Sequence, residues 1–159
     1  MTSIDNPEER PQLAVVARLD SILLRSLEWT MPDIEIPAGL KLQANGAVEL
    51  ALGLAGSQAL YRISLTIPGI VEIQGIPTEI FRAKMTFVAT YTVPQEHQFT
   101  QDELQMYGQT SALPMVYPYF RELLHSTASR AGYPGLFLAP IVYFAQSSPP
   151  KIDTPNVEL

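Results

Sequence analysis

Two histidines, His97 and His125, and the neighbouring carboxylates Asp102 and Glu103 are the groups in this sequence that could move a proton or hold a metal. Proton transfer needs a base beside a placed partner, and a zinc site needs clustered ligands. Glu96 and His97 are adjacent, but no HExxH accompanies them, and neither GxSxG, GxGxxG nor a phosphate-binding loop is present. His125 falls on the polar face of a helix pattern, and each histidine reads as solvated. Thr100-Gln-Asp-Glu103 has capping-box spacing, so Asp102 and Glu103 belong to the first turn of a solvated helix. Without cysteine there is neither a disulfide framework nor a thiolate metal site. No catalytic residue, metal or cofactor is expected.

The richer signal is aromatic. Tyr117, Tyr119, Phe120, Tyr133, Phe137, Tyr143 and Phe144 crowd one stretch that also holds prolines. Some must serve a core or a subunit interface. The others suit an apolar groove for extended polypeptide, since rings supply large contact area at low side-chain entropy and tolerate many partner sequences. Composition agrees. The chain has 159 residues, 47% apolar and only 16% charged. It is long enough for one domain with a real core, and little polar surface is left to cover it. The net charge of −6, with ten Lys and Arg, disfavours nucleic acid. No apolar run approaches the roughly 20 residues of a membrane span, and the N-terminal text lacks an apolar signal segment. A cytoplasmic protein is expected.

The elements that must position these residues read as follows. Residues 1–11 form a polar, proline-containing tail. Gln12 to Trp29 is ambiguous: Leu13, Val15, Ala17 and Leu19 alternate like a strand, whereas Leu13, Val16, Leu23, Leu24 and Leu27 fit a helical stripe. PDIEIPAG, residues 32–39, is a connection. Residues 40–93 read as β, with a hairpin turn at Asn45-Gly46 and a break at Pro68-Gly69. From Phe81 to Val93 the odd positions are apolar and the even ones mostly polar, the signature of an antiparallel sheet covered on one face. A short helix is expected over 101–107. A longer one follows with Pro118 in its first turn, Val116, Phe120, Leu123, Leu124, Thr127 and Ala131 on its apolar stripe, and Gly132-Tyr-Pro134 as its stop. Residues 145–159 read as a disordered, proline-rich tail, which leaves 12–144 as a single α+β domain.

The order Tyr117-Pro118-Tyr119-Phe120-Arg121-Glu122, Ser129-Arg130, Tyr133-Pro134 and Leu136-Phe-Leu138-Ala-Pro140 resembles the SecB export chaperone family. The likeness spans about 25 contiguous residues, with weaker collinearity over 12–144. It implies a four-stranded antiparallel sheet with a long helix packed on one side, Gln12 to Trp29 as the first strand, and a homotetramer built as a dimer of dimers. It also implies an ATP-independent holdase in protein export, without cofactor, gripping unfolded chains in apolar grooves. Trp29, Ile34, Ile36, Phe137, Tyr143 and Phe144 are the expected peptide contacts, with Phe120, Leu123 and Leu124 in the core or an interface. Two departures stand out. Family members dock the translocation motor SecA on exposed sheet acids; Glu28 matches one, but Leu24 and Lys84 stand at two others, removing and partly reversing the attraction. The chain also turns proline-rich by Pro149, where the family continues into a second helix, so that helix is short or missing. A dedicated chaperone of a toxin–antitoxin module is the nearest alternative. A small-ligand-binding module, or a hydrolase or lyase on an α+β scaffold, is the alternative of another class.

Overall fold

The computed structural model describes residues 13–96, 98–136 and 138, and the backbone of residues 152–153 and 157–158. Four long strands carry the architecture: β1 (Arg18–Thr30), β2 (Lys41–Ala55), β3 (Gln58–Ile73) and β4 (Ile76–Thr92), preceded by a helical turn α1 (Leu13–Val16). They lie antiparallel in the order β1-β4-β3-β2. β1 and β2 are therefore at opposite sides of the sheet, and the connection over 31–40 has to cross its end. Helices α2 (Gln101–Tyr107) and α3 (Leu113–Arg130) follow, joined by a π-helical stretch over 108–112. This is the α+β arrangement expected, one sheet with a long helix.

The period ambiguity of the N-terminal stretch has a physical origin. Leu13–Val16 is helical and Arg18–Thr30 is a strand interrupted by two register shifts against β4, between Leu19 and Ser21 and between Leu24 and Ser26. Each bulge adds one residue and resets the alternation. Leu19, Ile22, Leu24, Leu27 and Trp29 are consequently the partners of Tyr91, Ala89, Phe87, Met85 and Ala83, all on the face that α3 covers. Steps of three and two residues replace a clean period of two, which is why the stretch also fits a helix.

Three expectations about breaks are corrected. Asn45-Gly46 is not a turn but lies inside β2, where Leu42, Ala44, Gly46, Val48, Leu50 and Leu52 stay on the more buried face without a phase change. The hairpins close instead at Gly56-Ser57, with Gly56 at φ +59°, and at Gln74-Gly75, with φ of 52° and 79°, the positive angles that two-residue hairpin loops demand. Pro68-Gly69 does not end β3, which runs through it; the bulge beside it is in β4, where Ile80 is the extra residue between the pairs Gly69–Phe81 and Ile70–Glu79. Pro68 is instead the site of a gap in the β2–β3 ladder, between the pairs Ala44–Gly69 and Ala47–Thr66, as a residue without an N–H requires. Finally, Pro118 is interior to α3 rather than in its first turn, because the helix begins at Leu113. An interior proline costs about 3 kcal/mol. Burial of Leu113, Val116 and Tyr117 in that upstream turn offsets it, each large side chain contributing about 1.5–3 kcal/mol.

The core lies between the helices and one sheet face. Phe81, Ala83, Met85, Phe87, Ala89 and Tyr91 of β4 and Ala59, Tyr61, Ile63, Leu65 and Ile67 of β3 are buried against Leu113, Val116, Phe120, Leu124 and Ala128. Phe87 and Phe120 meet edge to face at 5.0 Å. At the far end Tyr61, Tyr91 and Tyr107 form a cluster, and the Tyr61 hydroxyl donates to the Leu104 carbonyl at 2.8 Å. Burial pushes the Tyr61 and Tyr91 phenols up, Tyr91 to about 12, with the neighbouring rings adding to it. The capping box is as expected: Thr100 accepts from the Glu103 N–H, and Glu103 accepts from the Thr100 N–H at 2.6 Å. Ser64 and Thr86 hydrogen-bond at 2.8 Å on the opposite, polar sheet face.

Candidate polypeptide-binding site

α3 runs over β3 and β4 and leaves the same face of β1 open. Leu24 is 47% exposed and Leu27 39%, although their partners Phe87 and Met85 are buried. Tyr119 on α3, 47% exposed, stands beside them, with its ring 6.0 Å from that of Phe87. The apolar line continues through Trp29 into the connection, where Met31 (44%) and Ile34 (40%) are exposed. Leu24 to Trp29 spans about 17 Å at the rise of a strand. The result is an apolar strip on the helix side of β1 that turns at its end onto the crossing segment.

Trp29 sits at the turn of that strip. Its indole stacks on Phe81 at 4.6 Å with an interplanar angle of 12°, and Tyr133, just past the end of α3, closes the cluster at 5.2 Å from Phe81. Phe81 lies flat over Gly69, its register partner, where even a methyl group would overlap the ring. The packing therefore fixes the indole from below. The Trp29 Nε1–H is buried and has no acceptor among the described residues. A buried N–H of this kind costs about 1–3 kcal/mol until something accepts from it.

Of the expected peptide contacts, Trp29 and Ile36 are half-buried against the core, and Ile34 is exposed on the connection. Phe137, Tyr143 and Phe144 lie outside the described residues, as does His97. Phe120 and Leu124 are fully buried and Leu123 is half-buried, in keeping with a core role. Leu24, Leu27, Met31 and Tyr119 are exposed apolar residues outside that expected set; the two bulges that bring the leucines to the helix side leave no simple alternation to find them by.

Glu28 is exposed on the polar sheet face and is the register partner of Lys84, so a cation stands directly across from it. Leu24, compared above with a docking acid, lies on the opposite face; Leu23 is the residue that shares the Glu28 face. His125 is exposed on α3 near Arg121 and Glu122. Among the described residues no group of three or more His, Asp or Glu is placed to hold a metal ion. Among the same residues no helix is long and apolar enough to cross a membrane.

No family model and no curated protein matches the chain. Solved structures do. A SecB-like chaperone from Mycobacterium tuberculosis, Rv1957, solved in complex with a ChAD peptide from the Rv1956 HigA1 antitoxin, superposes with a TM-score of 0.71. It is 24% identical over 84% of this chain and 96% of its own. A protein of unknown function from Streptococcus agalactiae covers 78% of this chain and 97% of its own at 12% identity, with a TM-score of 0.37, too remote to argue from. Strand order, the crossing connection and the long helix agree with the resemblance first seen around Tyr117 to Pro140: this chain has the SecB-like chaperone fold.

Proposed function

We propose that the protein is a chaperone that holds non-native polypeptide on the apolar strip formed by Leu24, Leu27, Trp29, Met31, Ile34 and Tyr119, with Ile36 as a flanking contact. The observation that carries this reading is the strip itself: large apolar side chains, two-fifths to half exposed apart from the half-buried Trp29, that run from the edge strand β1 onto the connection after it, with Tyr119 of α3 on the helix side. An extended client would bury them without needing a particular sequence, each contact being weak and non-directional. Holding of this sort uses no ATP and no cofactor. Phe137, Tyr143 and Phe144 complete the contact set in this proposal. The chain works as a homotetramer, a dimer of dimers, in the cytoplasm, and several strips in one particle multiply weak grips by avidity.

The partner is a dedicated client rather than the export motor. Two features favour this. Lys84 opposite Glu28 weakens any basic docking on the polar face, and the similar chaperone from M. tuberculosis was solved with an antitoxin peptide. The test is suppression of aggregation of a thermally unfolding model protein in the absence of nucleotide, monitored by light scattering. Suppression at near-stoichiometric ratio is expected; none at several-fold excess would refute the proposal. Adding a SecA C-terminal peptide with zinc to the same reaction should leave the suppression unchanged.

A further inference from the structure

The far edge of the sheet is not bare. The backbone of β5 (Ile152–Asp153) and β6 (Val157–Glu158) pairs antiparallel with the outer side of β2: Ile152 with Gly46, Asp153 with Asn45, Val157 with Leu42 and Glu158 with Lys41. Three steps of β2, from Leu42 to Asn45, face four steps of the C-terminal segment, from Val157 to Asp153. Beyond Gly46, the outer edge of β2 over 47–55 is unpaired among the described residues.

We infer that the C-terminal segment is an intramolecular strap that occupies the β2 edge in competition with extended polypeptide; this rests on the client-holding reading above. Five arguments support it. The strap adds as an extended strand, the conformation a client must adopt to pair its backbone with a sheet edge. Its pairing is short and interrupted, so it is weak enough to be displaced. Its tether, the 13 residues between Leu138 and Ile152, can reach tens of ångströms and holds it at an effective concentration in the millimolar range. The free edge at 47–55 is a foothold from which a client strand can advance and peel the strap off, one pair at a time. The strap also lies at the working end of the sheet. Trp29 pairs with Ala83 and Ala83 with Ile67, and Ile67 faces the part of β2 between Ala44 and Ala47, where the strap sits.

The test uses the full-length chain and the full-length double variant Ile152→Pro/Val157→Pro, which removes two strand N–H groups without altering the domain. Hydrogen exchange is read at residues 41–46. Binding is read with labelled, reduced and carboxymethylated α-lactalbumin as a permanently unfolded probe. The variant should exchange faster at 41–46 and bind the probe about tenfold more tightly, as expected if the strap holds the edge nine-tenths of the time. Unchanged exchange means the segment does not hold β2, and the inference fails. Faster exchange with equal or weaker probe binding means the strap only covers a sticky edge, and the inference also fails. If neither protein binds the probe, the holding function falls with it; if both bind with the same affinity, the strap alone is overturned.

Discussion

The double variant Leu24→Asp/Leu27→Asp is expected to lose at least about tenfold in its capacity to suppress aggregation while keeping its fold. Both side chains are well exposed, so the free chain gives up little packing, and surface changes of this kind are usually within about 0.5 kcal/mol apiece. A bound client is another matter. Covering each leucine contributes about 1 kcal/mol or more, and an aspartate trapped under an apolar segment carries a desolvation penalty of comparable or larger size. Together these exceed the 1.4 kcal/mol that a factor of ten requires. Val15→Asp is the control, because Val15 is 78% exposed on α1 and off the strip. Its suppression should match that of the unmodified chain, with far-UV circular dichroism showing native helix and strand in all three proteins. Full activity in the double variant would remove the strip from the account.

The second large effect concerns the support under Trp29. Gly69→Ala is expected to destabilise the protein by about 1–3 kcal/mol, the usual cost of forcing extra atoms into a filled site, and Gly69→Val by more. A side chain at 69 collides with the Phe81 ring, which is fully buried and packs against both Trp29 and Tyr133. The ring cannot tilt without disturbing both neighbours. Urea unfolding measures this directly, and the midpoint should fall at constant slope. A change below about 0.5 kcal/mol for Gly69→Ala would mean that the cluster is loosely packed and does not position the indole.

How much of this the sequence revealed depended on whether a local rule decided the outcome. The β4 alternation from Phe81 to Val93, the Thr100–Glu103 cap and the stop at Gly132 were legible because one element or one turn settles each of them. Asn45-Gly46 misled for the opposite reason. Its turn propensity is real, but moving the turn there would break the phase of Leu42, Ala44, Val48 and Leu50 against β3, and two better-placed loops were available. Pro118 misled because the helix start is set by burial of Leu113 and Val116, which outweighs a backbone rule about proline.

The site was legible in part. Of the proposed strip, Trp29 and Ile34 are suggested by residue type and by the resemblance, while Leu24 and Leu27 are hidden by the bulges that turn them toward the helix side. The Gly69–Phe81 contact could not be read at all, since it joins residues on two strands whose register depends on a further bulge at Ile80 of β4. The C-terminal pairing was hidden as well. A segment with three prolines between Pro149 and Pro155 carries the composition of a solvated tail, and pairing at only four β2 positions leaves no periodic signature.

Trp29 is the chain's single tryptophan, which makes the site its own reporter. Titration with a tryptophan-free, permanently unfolded polypeptide, excited at the red edge of indole absorption and without nucleotide, tests the central claim most directly. The account predicts a saturable blue shift of the Trp29 emission as a client covers the strip, and no response to a folded protein of similar size. Emission that stays constant while the unfolded chain is shown by mass to be bound would place the client elsewhere and contradict the account.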